Sequence, residues 1–285
     1  MPITLEQAKE LSQSKLTGQV IDEFSKSPLM SMLTFENTVK VQGGKTLAYV
    51  YNRITTQPTA GTRAINGEYT SQETVTSQEV TNLKVMGGSY EIDRVIANDE
   101  TQVVNHVEFQ SQQKAKAAVA LFHDLFINGD SAVDAKEFDG IEKALVGSTT
   151  EYIPTSVIDL STAEAIKNNY RDFQFALRKM IGSMDGITLL LVNNDAFTAF
   201  QMLADHIPNV TYSRDELGNE IVRYGNALIV DMGDKPGTTS PVIGFEDDGT
   251  TSIYGVRLGI DGVHGVSPDG SDLINTYLPD FSQPG

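Results

Sequence analysis

Histidines and clustered carboxylates are the side chains here with the most chemistry to offer. The four histidines, His106, His123, His206 and His264, are scattered along the chain. His106 and His123 fall on one predicted helix but lie 17 residues apart, roughly 25 Å along a helix axis. One metal ion cannot bridge that span, and none of the four has companion ligands at metal-site spacing. Asp130, Asp134 and Asp139 lack the D-x-[DN]-x-[DN]-G order of a calcium loop and read as a solvated acidic loop. Asp247 and Asp248 precede Gly249, a turn sequence that needs no acid–base role. The chain has no cysteine, which excludes thiol catalysis, disulfides and thiolate metal sites. It also contains no G-x-S-x-G, no phosphate-binding G-x-x-x-x-G-K-[ST], no H-E-x-x-H and no G-x-G-x-x-G. The expectation is a protein without catalytic residues, cofactor or metal, and not an enzyme.

Composition points the same way. Acidic residues outnumber basic ones 38 to 21, a formal charge of −17 over 285 residues. That balance disfavours binding by phosphate neutralisation, which needs a basic face. A 40% hydrophobic content argues against global disorder and supplies a core. The apolar stretch Ile187 to Val192, broken by Thr188, is far too short to span a bilayer. The polar, acidic start, MPITLEQAKE, does not resemble a secretory signal, and the expectation is a protein made in the cytoplasm.

The elements that must position these residues follow from periodicity. Thr4 to Phe24 reads as an amphipathic helix with a thin apolar stripe. It is either docked on its own domain or an arm laid on a neighbouring chain. From Val39 to Ile54 an alternating, Val- and Tyr-rich pattern around Gly43-Gly44 predicts strands. Thr55 to Lys84 is dominated by Thr, Ser, Gln, Glu and Gly. It reads as a long two-stranded projection with no core of its own, with Gly61 and Gly67 available for turns; the alternative is a mobile loop. Asp99 to Ile127 predicts a long helix, polar in its first half and apolar in its second. Its apolar stripe passes through Val107, Lys114 and Leu121 to Leu125, with Gln112 on the polar face. Asn128-Gly129 supplies its stop, the glycine being suited to a left-handed position.

The middle third predicts a compact α/β unit. Ser161 and Glu164 have capping-box spacing ahead of a stripe of Ile166, Tyr170, Phe173, Leu177, Met180 and Met184. Asp185-Gly186 turns into a short strand buried on both faces, ITLLLV. Asn193 or Asn194 then caps a helix that carries Phe197, Phe200 and Leu203 inward and ends by Pro208. NALIVDM, PVIGF and SIYGVRLGI read as three more strands, and DLINTYLPDF as a further strand pair.

In order and content these parts resemble the major capsid protein of tailed bacteriophages. The resemblance covers nearly the whole chain. It is carried by LFHDLFINGD followed by FDGIEKAL, by LLLVNNDAFTAF, and by SIYGVRLGIDGVHGVSPDG. It implies an α+β fold with an N-terminal arm and first strand (1–48), an extended β-hairpin loop (49–96) and a peripheral domain with a spine helix (97–160). An axial domain (161–250) and return strands (251–285) complete it. The implied function is self-assembly through hexameric and pentameric capsomers into an icosahedral shell around double-stranded DNA, located in the virion. Implied partners are further copies of the chain, a separate scaffolding protein, a portal, decoration proteins, and DNA through non-specific contact, with no membrane. Arg53, Arg63, Glu68 and Arg94 are the candidate assembly-interface residues. The family's Lys–Asn cross-link is not implied, because no lysine lies near the expected loop tip. Encapsulins share the fold, their shells holding enzymes in place of a genome; the other rival is a soluble α/β enzyme or binding protein.

Overall fold

The computed structural model describes residues 29, 32–38, 47–93, 106–148, 150–214 and 220–268. In chain order these form β1 (Phe35–Asn37), β2 (Ala48–Thr56), β3 (Val75–Asn82), α1 (His106–Asn128), α2 (Ile141–Leu145), α3 (Ala163–Gly182), β4 (Leu189–Val192), α4 (Asn194–Leu203), β5 (Val210–Arg214), β6 (Glu220–Tyr224), β7 (Ala227–Asp231), β8 (Tyr254–Val256) and β9 (Gly265–Ser267). Among the described residues, 35–38, 47–84 and 266–268 form one compact unit, and the remainder form another. The expected N-terminal helix, Arg94, the first turns of the long helix and the DLINTYLPDF strands lie outside the described residues.

The larger unit is built on a five-stranded mixed sheet of order β5-β6-β7-β4-β8. The central pair, β4 and β7, is parallel, and the other pairings are antiparallel. Every residue of β4 is buried, as its unbroken Leu-Leu-Leu-Val sequence requires of a strand covered on both faces. Leu190 and Val192 join one cluster with Ile166, Phe173 and Leu177 of α3 and Phe200 and Leu203 of α4. Successive strand residues point to opposite faces, so Leu189 and Leu191, also fully buried, serve the other side. The Phe173 and Phe200 rings meet edge-on at 5.4 Å, a favoured aromatic geometry.

Three local expectations change. The cap of α3 is Thr162, whose side chain accepts from Ala165 N at 3.1 Å; Ser161 lies one residue too early to do this. PVIGF is not a strand. Val242 and Ile243 are buried, but their carbonyls go to side-chain amides. Asn128 Nδ2 donates to Val242 O at 2.8 Å and Asn193 Nδ2 to Ile243 O at 3.3 Å. The β5–β6 hairpin was not anticipated: β5 is exposed after Val210, and only β6 alternates, with Val222 and Tyr224 buried and Arg223 exposed between them.

The long helix keeps its expected polarity but not its expected face. Only its last turn, at Leu125, Phe126 and Ile127, is buried, while Leu121 and Gln112 are both half-buried and Lys114 is exposed. Gly129 ends it by close approach and not by a left-handed φ. A Cβ there would lie 2.3 Å from Phe138 O and 2.6 Å from Leu125 O. Gly140 faces the same constraint, with Ile127 O at 2.3 Å from its missing Cβ, and its N–H donates to Gly129 O at 2.7 Å. Two backbones touch here, and no side chain fits between them.

Ile127→Ala is therefore expected to cost about 2–5 kcal/mol in urea unfolding, the usual range for a buried aliphatic truncation. Gln113→Ala, on the exposed side of the same helix, is expected to change stability by less than about 0.5 kcal/mol. Equal losses from the two would mean that α1 is not anchored at its C-terminal end.

Candidate assembly surface

The smaller unit is dominated by β2 and β3. They pair antiparallel from Ala48↔Asn82 to Thr56↔Val75, with a bulge near Ile54. The Thr, Ser and Val content of this stretch suits extended backbone, but of the two-stranded projection expected over Thr55 to Lys84 only the second strand falls inside those bounds; the first is Ala48–Thr56, and 57–74 carries no strand. Side chains alternate between two faces. One face carries Val50 opposite Val80, with Ile54 nearby; the other carries Tyr51 opposite Glu79 and Arg53 opposite Ser77. Val50, Ile54, Val75 and Val80 are between 48% and 58% exposed. Large apolar side chains thus lie uncovered on a two-stranded ribbon, an arrangement only marginally stable in water by itself.

At the tip, Gly67 N donates to Ala64 O at 3.0 Å. Asn66, not a glycine, takes the left-handed conformation with φ 69°, which asparagine tolerates. Arg63 Nη1 donates to Gly67 O at 3.2 Å, and its guanidinium sits 5.2 Å from the Tyr69 ring centroid. Arg63 is therefore occupied within its own loop. Glu68 is exposed beside it and Arg53 is exposed on β2, so the structure brings Arg63 and Glu68 to the tip and leaves Arg53 on the strand. Ile65, 94% exposed, and Tyr69 accompany them. The sequence reading missed the apolar members of this surface, although Val50 and Ile54, four residues apart and so on one face of a strand, were a usable signal. At the ribbon's base, Tyr49 OH donates to Glu36 Oε2 at 2.6 Å, and this bond, with the carboxylate's charge and some burial, holds the phenol above its ordinary pKa.

Groups with chemical potential elsewhere are bound up in structure. His123 is half-buried, and burial pushes its pKa down; His206 stacks on Tyr170 at 5.5 Å. Among the described residues, no group of three or more His, Asp or Glu could hold a metal ion. A cavity of about 170 Å³ is lined by Asn128, Glu142, Lys235, Glu246, Ser252 and Tyr254. Burial first, then the two carboxylates, push the Tyr254 hydroxyl up to about 12, so it stays protonated at neutral pH. Asp248 accepts from Thr250 N and Oγ1, and Gly249 takes φ 80°, so Asp247-Asp248-Gly249 is a turn.

The acidic loop is pinned from within. Lys143 Nζ bonds Asp130 and, at 2.7 Å, Asp139. Asp139 also accepts from Ser131 N at 2.8 Å, and Asp134 from Lys136 N at 2.9 Å. The loop's carboxylates are spent on a lysine and on turn amides.

Comparison with known proteins adds the fold. No family model matches the chain, and no curated protein does. Among solved structures, the holo-SrpI encapsulin complex from Synechococcus elongatus is similar with a TM-score of 0.53 at 12% identity. The match covers 93% of this chain and 79% of that one. The chain therefore shares the mixed α/β fold of that encapsulin. Among the described residues, no helix is long and apolar enough to cross a membrane.

The Lys143 bonds, ahead of those from Ser131, hold Asp139 down at about 2. A depressed carboxylate stabilises the fold above its unfolded pKa, and that contribution is lost as pH falls through the folded value. Stability linked to this loop is expected to decline between about pH 4 and about pH 2. Lys143→Ala removes the leading cause. Thermal melts should show the variant below the parent at pH 6, with the gap closing toward pH 2. A gap constant across that window would mean that the lysine acts by packing alone.

Proposed function

We infer that the chain is a structural subunit that self-associates into a closed shell, and that it is not an enzyme. The observation that carries this reading is the β2–β3 ribbon, which leaves Val50, Ile54, Val75 and Val80 exposed with no core beneath them. Exposed apolar surface on a two-stranded ribbon is what a partner surface covers. The capsid fold supports the same reading: its encapsulin neighbour is described as a complex, and further copies of this chain are the natural partner. The absence of catalytic motifs from the sequence agrees with it.

Within shell-forming proteins, the phrases around LFHDLFINGD, LLLVNNDAFTAF and SIYGVRLGIDG support a tailed-phage major capsid protein. That subunit would build hexameric and pentameric capsomers around double-stranded DNA, with a scaffold and a portal as partners, and would reside in the virion. The likeness to an encapsulin favours a second reading, a nanocompartment shell. The contents of purified particles separate the two: packaged DNA marks the first and a protein cargo the second.

Deleting Gly61–Glu73 removes the tip but keeps both paired strands. The expected product is folded by circular dichroism yet elutes as a small species in size-exclusion chromatography, with no closed particles in negative-stain images. Closed shells from the deletion variant would take the tip out of the assembly surface, and closed shells from a further variant carrying Val50→Ser, Ile54→Thr and Val80→Thr would sink the assignment of the ribbon to assembly.

A further inference from the structure

The outer face of α3 is basic in an acidic chain. Lys167, Arg171, Phe175 and Arg178 follow one another at spacings of four, four and three, so they form a single stripe. The buried residues of this helix, Ile166, Phe173, Ala176 and Leu177, lie on the opposite side. All four stripe residues are exposed, Phe175 to 68%. Among the described residues, none of the three cations makes an ion pair with a carboxylate. Arg171 instead reaches back to Tyr170 OH at 3.0 Å. The helix has two acids of its own, Glu164 in the first turn and Asp172, and neither pairs with the stripe.

An opposite surface exists on the same chain. The turn Phe245-Glu246-Asp247-Asp248 is exposed throughout, with Phe245 51% exposed. It presents three consecutive carboxylates beside an exposed aromatic ring. Each surface is thus an aromatic side chain set among charges of one sign, and the signs are opposite. Aromatic residues and arginine are the types enriched at protein interfaces.

We propose that the α3 stripe of one copy docks on the Glu246–Asp248 turn of a second copy, in a head-to-tail contact. Such a contact is heterologous, and contacts of that kind close into rings when the rotation allows. The proposal rests on the shell reading, for which it names one subunit–subunit interface. Nucleic acid is the weaker occupant of the stripe. Three cations neutralise few phosphates, and a chain at −17 repels a polyanion, whereas it offers acidic protein surface in abundance.

Charge exchange tests this on the full chain. Asp248 is left in place because it holds the turn. One variant carries Lys167→Glu, Arg171→Glu and Arg178→Glu; a second carries Glu246→Lys and Asp247→Lys; a third combines all five. Association is read by sedimentation velocity at moderate salt, folding by thermal melts, and particle form by electron microscopy. The first two variants are expected to fold but associate at least several-fold more weakly than the parent. An equimolar mixture of the two should recover the parent's association, since each then meets its complement, and so should the five-fold variant. Association unchanged by the first variant overturns the contact, and closed shells from it leave the shell reading intact. Loss without recovery in both the mixture and the five-fold variant also overturns it, because the stripe then meets something other than the turn. Binding of a duplex oligonucleotide that the first variant abolishes, with association unchanged, assigns the stripe to nucleic acid and overturns the contact. Recovery by exchange in oligomers that never close into shells supports the contact and overturns the shell reading. A parent that stays monomeric overturns both.

Discussion

Two asparagine side chains hold a buried, non-strand segment in place, and the larger unit is organised around that fact. Val242 and Ile243 are buried, and a buried carbonyl without a partner costs about 1–3 kcal/mol. Among the described residues no strand pairs with Val242 and Ile243, and amides from distant parts of the chain satisfy their carbonyls: Asn128 at the end of α1 and Asn193 at the corner between β4 and α4. Asn193 also accepts from Ala196 N at 2.9 Å as the cap of α4, and donates to Thr251 Oγ1 at 3.0 Å. One side chain thus starts a helix, ends the central strand and ties down the segment crossing it.

The same logic fixes the long helix. Asn128 can reach Val242 only if α1 ends where it does, and Gly129 and Gly140 enforce that end by direct backbone contact. The last turn of α1 is consequently held to the sheet domain by burial, by an amide bond and by a clasp that admits no Cβ. Lys235 adds an ion pair to Asp124 at 3.7 Å, a partly exposed pair of the kind worth about 0–1 kcal/mol. Packing and hydrogen bonding, more than charge, set the helix position.

What the sequence made legible was local. The α3 stripe, the Leu189–Val192 strand and the cap at Asn193 or Asn194 all rest on periodicity or on neighbours within a few residues. The misreadings were non-local. PVIGF has strand composition, but its carbonyl partners lie 50 and 114 residues away, and no window along the chain contains them. Leu121 reads as core by helical spacing, yet burial of α1 is decided by what covers it, and only its last turn is covered. VTYSR escaped because its mostly exposed residues carry no hydrophobic alternation, whereas EIVRY, with Val222 and Tyr224 buried on either side of exposed Arg223, carried a usable signal that was missed. Of the candidate assembly residues, Arg63 is engaged with Tyr69 and its own loop carbonyls, a local bond that composition cannot reveal.

On the proposed shell reading, the ribbon's chemistry also bears on how assembly errors are corrected. Between Val50, Ile54, Val75 and Val80 its sequence is mostly Thr, Ser, Gln, Asn and Glu, and each apolar side chain is only about half exposed. Exposed charges such as Arg53 and Glu79 blunt the strands against indiscriminate edge pairing. A subunit that joins its neighbours through such a surface gains little from any single contact, and a misplaced one can leave before others lock it in. Only a correctly seated subunit, touching several neighbours at once, accumulates enough contacts to stay. Weakness of the individual contact thereby becomes a means of proofreading, and a ribbon made more hydrophobic would trade fidelity for speed.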